Sequence, residues 1–252
     1  MDHAMKIAPL LIAAGVLAAA PAFAQANTEP TRDPAKTEVW TPVPATVATP
    51  PGKAPSDAIV LFDGKDASAW ESEQGGRVPW AVADGAMTIV PGSKGIRTKQ
   101  RFCDIQLHVE WRTPVETKGF DGQNRGNSGI FLQELYELQV LDSYNNPTYA
   151  NGQAGSIYKQ AMPLVNASRA PGQWQAYDIL WKAPRFSPGG GLISPARITV
   201  LHNGVLVQDD TVLAGRTEYI GPPSYSPHAC APIHLQEHDA KVSYRNIWVR
   251  EL

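Results

Sequence analysis

NRGNSGIFLQELYELQVLDS, residues 124–143, is the stretch whose reading decides the fold. Asn127 and Gly129 lead into the apolar run Ile130, Phe131 and Leu132, after which Tyr136, Leu138 and Val140 alternate with Glu137 and Gln139. A period of two belongs to a β-strand, because successive side chains there point to opposite faces of a sheet. The stretch therefore predicts a central strand pair with one face buried and the other holding a carboxylate and an amide. Asp142 closes the run beside Ser143 and Tyr144.

The same alternation recurs on both sides. Ile105, Leu107, Val109 and Trp111 alternate with Asp104, Gln106, His108 and Glu110, and Gln175, Tyr177, Ile179 and Trp181 form the expected core face of a strand over 174–181. Residues 59–62 followed by Asp63-Gly64 predict a first strand and turn, and Ala83-Asp84-Gly85 predicts a hairpin. Asn203-Gly204 between two apolar runs is a two-residue hairpin signal, since both residues tolerate the positive φ of a type I′ turn. Residues 233–236 and 242–249 supply two more strands, while 114–126 and 144–155 are polar, glycine-containing loops. No helical period of convincing length follows the first 24 residues, and 21 Gly and 22 Pro punctuate the chain. Many short strands joined by such turns predict an all-β fold, a sandwich or jelly roll of two antiparallel sheets. No repeat of fixed period and no glycine-rich phosphate loop is present, which disfavours a nucleotide-binding fold.

Lys6, the apolar run from Ile7 to Ala20 and the small-x-small site Ala22-Phe23-Ala24 predict a signal peptide over 1–24. The mature chain is then expected in the periplasm or outside the cell, without a membrane span. Seven prolines between 27 and 57 predict an extended or disordered leader over 25–57, with Trp40 as an anchor if the leader lies across a surface. The compact domain is expected over 58–252, enough for one substantial core. A net charge of −2 without any basic tract argues against nucleic acid as a partner. Cys103 and Cys230 are the only cysteines, so an oxidising compartment allows one disulfide between them, against two separately buried thiols.

The segments IVLFDGKDASAW, GNSGIFLQ, YELQVLDSY, GSIYKQ, NASRAPGQWQAYDILWKAPRF, PARITVLHNGVLVQDD and IHLQEHDAKVSYRNIWVREL, taken in order, resemble the 3-keto-disaccharide hydrolase domain family. The resemblance covers 57–252 and implies a concanavalin A-like sandwich with a carbohydrate-binding groove on its concave sheet. It also implies cleavage of glycosides already oxidised to a ketone at C3. The family pattern is kept at Gly126 to Gly129, Glu137, Gln139, Asp142, Gln236 and His238, and departs at Cys103 and Cys230.

A C3 ketone acidifies the proton on C2, so such a sugar can lose that proton, expel its C1 substituent and then take up water. The chemistry asks for a base, a group that stabilises the enolate oxygen and an acid at the leaving oxygen. His238 is the expected base, since an imidazole titrates near neutrality, and Gln236 shares its strand face; a surface histidine at a strand end is the alternative. Glu137 and Gln139 share one face and reach either a bound sugar or open solvent. Glu134 has the opposite parity from Glu137, and the Glu-x-Asp-x-x-Glu pattern of related glucanases is missing, which weakens a direct retaining mechanism. Asp142 is a candidate to bind a hydroxyl, orient His238 or ligate a cation such as calcium; no calcium-loop spacing defines a site and no cofactor is required. Lys159 is a candidate enolate stabiliser or a solvated loop lysine. Arg125 and Asn127 are candidates for sugar hydroxyls, and Tyr144 and Tyr149 for stacking on a sugar ring. A non-catalytic carbohydrate-binding domain and a structural envelope domain are the competing functions.

Overall fold

The computed structural model describes residues 33–252, so the signal-peptide segment lies outside the described residues. One compact unit ends at Ala45 and another spans Thr46–Leu252. In the first, a short 3-10 turn covers Pro34–Thr37, and Trp40 is 78% exposed with its indole donating to Glu38. The second unit takes in the end of the Pro-rich stretch: Ala48 and Ser56 exchange two hydrogen bonds, and Asp57 pairs with Arg250 at 2.6 Å.

The strands, in chain order, are β1 (Ile59–Phe62), β2 (Trp70–Ser72), β3 (Ala81–Ala83), β4 (Ala86–Thr88), β5 (Ile96–Thr98), β6 (Ile105–Arg112), β7 (Ser128–Leu132), β8 (Tyr136–Val140), β9 (Gln175–Lys182), β10 (Arg185–Phe186), β11 (Leu192–Ser194), β12 (Arg197–His202), β13 (Val205–Val212), β14 (His234–Leu235) and β15 (Ser243–Glu251). The larger sheet runs β13-β12-β9-β6-β15-β4-β3, with β1 also on β15. The smaller runs β2-β5-β14-β7-β8, and β10 and β11 form a separate ribbon. Every pairing is antiparallel. The expected all-β sandwich of two antiparallel sheets is what the chain forms.

The core follows the alternation. β6 buries Ile105, Leu107, Val109 and Trp111, and β9 buries Gln175, Tyr177, Ile179 and Trp181. Burying the apolar side chains among these stabilises the fold by roughly 1.5–3 kcal/mol each. Tyr136 from the smaller sheet meets Trp181 from the larger with ring centroids 5.1 Å apart. Two tyrosine hydroxyls then tie the sheets together through polar groups that burial would otherwise leave unsatisfied. Tyr177 Oη donates to the backbone carbonyl of Gln139 at 2.9 Å, and Tyr244 Oη lies 2.7 Å from Ser128 Oγ. Both bonds hold β7 and β8, the strands of the opening stretch. Cys103 and Cys230 form a disulfide beside the bridge between Phe102 and Ala231.

The opening stretch differs from the expectation in two ways. β7 and β8 form a hairpin turned by Gln133 and Glu134, both at positive φ, and β8 is the outermost strand of its sheet rather than a central one. Its free edge is covered by residues 155–158: Gly155 N donates to Gln139 O, Gln139 N to Ser156 O and Tyr158 N to Glu137 O. Covering an edge this way satisfies its unpaired backbone groups. All five residues of β8 are consequently buried, those of the polar parity included.

Candidate active site

The outer face of the smaller sheet carries one register row across all five strands: Glu71, Arg97, His234, Phe131 and Glu137. Its first half is closed by ion pairs of Arg97 and by a hydrogen bond of His234, whose imidazole is lowered by burial. Arg97 bonds Glu71 at 2.9 Å and Glu134 at 3.3 Å, and His234 Nε2 lies 3.1 Å from Glu73. The turn at Gln133 and Glu134 thus directs Glu134 to Arg97, away from Glu137. At the other end of the row, no cation among the described residues pairs with Glu137.

Glu137 sits on the floor of a cavity of about 450 Å³, which it shares with Asn127, Gln139, Gln236, His238, Phe131, Tyr158, Thr217 and Tyr219. It is 6% exposed, and burial alone pushes its carboxyl up to about 8. Desolvation disfavours the charged form, and nothing adjacent repays it. The carboxyl has room because residue 129 is glycine: a Cβ there would lie 2.7 Å from Glu137 Oε1. Gln236, whose N–H donates to Gly129 O at 2.9 Å, turns its side chain into the same cavity, and its Oε1 is buried with no partner among the described residues. An unpaired buried acceptor costs about 1–3 kcal/mol, so it marks where a ligand hydroxyl would be welcome. His238, just past β14, is exposed and also borders a second cavity of about 610 Å³ with Phe120, Pro91 and Pro114 on its walls.

Of the residues expected from sequence, Asn127, Glu137, Gln139, Gln236 and His238 converge on the cavity. Asp142, Arg125 and Tyr144 lie outside it and bind one another. Arg125 Nε is 2.9 Å from Asp142 Oδ2, Tyr144 N donates to Asp142 Oδ1 at 3.1 Å, and the Arg125 guanidinium donates to Tyr144 O. Asp142 has the parity of Leu138 and Val140, opposite to that of Glu137 and Gln139, and the chain has left β8 after Val140, so Arg125 and the Tyr144 backbone place its side chain. Burial raises the Asp142 carboxyl, against the pull of Arg125.

Lys159 and Tyr149 stand behind the cavity wall rather than on it. Lys159 Nζ donates to Tyr219 O at 2.6 Å and lies 4.1 Å from the Tyr219 ring centroid. Tyr149 Oη is 2.7 Å from Tyr158 Oη. They position Tyr158 and Tyr219, two wall residues that sequence reasoning missed. Tyr158 was within reach, since it belongs to the segment GSIYKQ; Thr217 and Tyr219 lie in a stretch with no periodic signal. Burial raises the Tyr158 hydroxyl and keeps it a proton donor. Among the described residues, no group of three or more His, Cys, Asp or Glu side chains is placed to hold a metal ion, and Asp142 faces a guanidinium.

Comparison with known proteins agrees with this architecture. A protein of Parabacteroides distasonis ATCC 8503, solved at 2.13 Å and named only provisionally as a glycosyl hydrolase, is 51% identical, with 86% of this chain and 96% of that chain covered and a TM-score of 0.84. A second such protein of the same organism, at 20% identity with 78% and 94% covered and a TM-score of 0.56, shares the fold. No curated protein matches the chain. The family described as the 3-keto-alpha-glucoside-1,2-lyase-like domain matches residues 57–250. By that match and by its fold, the chain belongs to the 3-keto-alpha-glucoside-1,2-lyase-like domain family.

Proposed function

We propose that the chain cleaves 3-keto-glucosides, including 3-keto-disaccharides, by elimination across C1 and C2 followed by addition of water. The observation that carries this reading is Glu137, a buried carboxyl without a cation, in a polar cavity that also holds an imidazole. His238 takes the C2 proton, and the electron pair left behind is delocalised onto the C3 oxygen as an enolate. The Tyr158 hydroxyl donates to that oxygen, the role first expected of Lys159, which instead braces the wall. As the pair returns to form the C1–C2 double bond, the C1–O bond breaks and the leaving oxygen takes the Glu137 proton. Water then adds across the double bond, its hydroxyl to C1 and its proton to C2, and yields free 3-keto-glucose. The unpaired Gln236 carbonyl and the Asn127 side chain hold sugar hydroxyls, and the leaving group crosses His238 toward Phe120.

We also place the mature protein in the periplasm or outside the cell. The charged, apolar and small-residue pattern of 1–24 supports this, as does the disulfide, which persists in an oxidising compartment. The test of the activity is incubation with 3-keto-trehalose and with simple 3-keto-glucosides. Wild type should release 3-keto-glucose, and His238→Ala should lose on the order of 100-fold or more in kcat. Release from none of the substrates by wild type would overturn the reading.

A further inference from the structure

The cavity floor is backed by a chain of side-chain amides whose orientation is fixed from outside. Gln123, in the 3-10 turn Gly122–Asn124, donates its two amide hydrogens to Thr148 Oγ1 and to the backbone carbonyl of Gly152, each at 2.9 Å. A backbone carbonyl only accepts, so this settles which end of the amide is nitrogen. Asn127 is fixed in the same way, with its NH2 on the backbone carbonyl of Gln123 at 2.9 Å. Both residues therefore present oxygens to Gln139, whose NH2 meets Gln123 Oε1 at 3.0 Å and Asn127 Oδ1 at 3.4 Å. The Gln139 oxygen is left facing Glu137 Oε1 at 3.0 Å.

We infer that Gln123 and Gln139 are positioning residues that keep Glu137 protonated, by presenting to it an acceptor that only the neutral acid can satisfy. A half-turn of the Gln139 amide would serve the ionised acid, giving its NH2 to Glu137 and to Ser128 O at 3.2 Å. That turn sets its oxygen 3.0 Å from Gln123 Oε1, which cannot turn without losing Gly152 O. With the amide unturned, the contact left between acceptors is the longer one to Ser128 O. Protonation of Glu137 and the orientation of Gln139 are thus two readings of one state. The groups that face Glu137 do not oppose this. Tyr158 and His238 share its cavity, Tyr244 lies behind Ser128, and the nearby Lys159 amine is held on Tyr219 O. Burial acts in the same direction.

The role of this acid in cleavage rests on the reading proposed above, in which its one proton leaves the Gln139 oxygen for the leaving oxygen as the C1–O bond breaks, but its protonation can be measured without substrate. Infrared difference spectra of the full chain, with Glu137→Gln identifying the band, should show a carboxylic acid C=O stretch of Glu137 at pH 7. Gln123→Met keeps the length of the side chain and removes the nearer of the two acceptors, so that only Asn127 Oδ1, at the longer 3.4 Å, is left against a turn of Gln139. The midpoint of the band should then move to lower pH by one unit or more, and in an active enzyme kcat at neutral pH should fall while KM holds. An ionised Glu137 in wild type at pH 7 would overturn the inference even if Gln123→Met did not fold, and so would an unmoved midpoint in a folded variant. A band that behaves as expected in a protein that leaves 3-keto-glucosides intact would uphold the amide chain and sink the proposed reaction.

Discussion

Glu137→Gln separates the acid role of this residue from every structural role it has. An amide at 137 has nearly the shape of the neutral carboxyl, and its NH2 offers the Gln139 oxygen at 3.0 Å the donor that the acid supplies. Stability should therefore change by less than about 1 kcal/mol, the worth of one hydrogen bond. What the variant cannot do is give up a proton. With the carboxyl pushed up to about 8, roughly nine in ten wild-type molecules carry that proton at pH 7, so its loss is felt almost in full. General acid catalysis contributes about 10²–10⁴-fold, or about 3–5 kcal/mol of barrier. For a 3-keto-disaccharide, whose leaving alkoxide needs protonation, kcat should drop by about 1000-fold. For a 3-keto-glucoside of a nitrophenol, which departs as a stable anion, the drop should be under about tenfold. Wild-type kcat on the disaccharide should also decline as pH rises through about 8, where the acid is lost. The assay is steady-state release of 3-keto-glucose from the two substrates. Equal losses on both would refute the acid assignment, since a residue that only shapes the cavity does not distinguish leaving groups.

The remaining predictions concern stability. The disulfide closes a separation of 127 residues, so Cys103→Ala with Cys230→Ala should cost about 3–5 kcal/mol and lower Tm by roughly 10 °C; because neither cysteine borders the cavity, activity at 25 °C should persist, and a cost under about 1 kcal/mol in urea unfolding would refute the linkage. Burial lowers His108, but a hydrogen bond to Asp178 at 2.7 Å and the Glu110 carboxylate 3.8 Å away outweigh it and raise the imidazole to about 9. A raised group stabilises fully below its unfolded value and loses that contribution as pH climbs through the folded one. The gap between wild type and His108→Gln should therefore be about 1 kcal/mol at pH 6, allowing for solvent around Asp178, and close by pH 10. A gap of the same size at both pH values would remove His108 as the titrating group.

What could be read from the chain follows from how local each cause is. Period-two burial is local, and so the core faces of β6 and β9 and the Asn203-Gly204 hairpin were legible from neighbouring residues. Both turn residues take positive φ, as the hairpin needs. The site was half legible for the same reason. Glu137 and Gln139 had to share a face, but the depth of that face was set by the 155–158 segment, which pairs with β8 from beyond a loop. Without that cover the same alternation means a wet outer face, and the carboxyl would have no cause to stay neutral. Asp142 shows the converse: it has the opposite parity from Glu137 and Gln139 and lies past the end of the strand, and a guanidinium decides where its carboxylate goes.

The amide chain lay furthest from view, because its direction comes from two backbone carbonyls that do not belong to any motif. Gly152 O fixes Gln123, and Gln123 O fixes Asn127. Both anchors sit in loops whose composition announces only that they are loops. The protonation of the acid is thus governed from outside the cavity, by peptide groups that cannot turn. A loop exchange that preserved every cavity side chain but moved Gly152 should therefore release Gln123, let the Gln139 amide turn and ionise Glu137, with the sugar-facing surface intact.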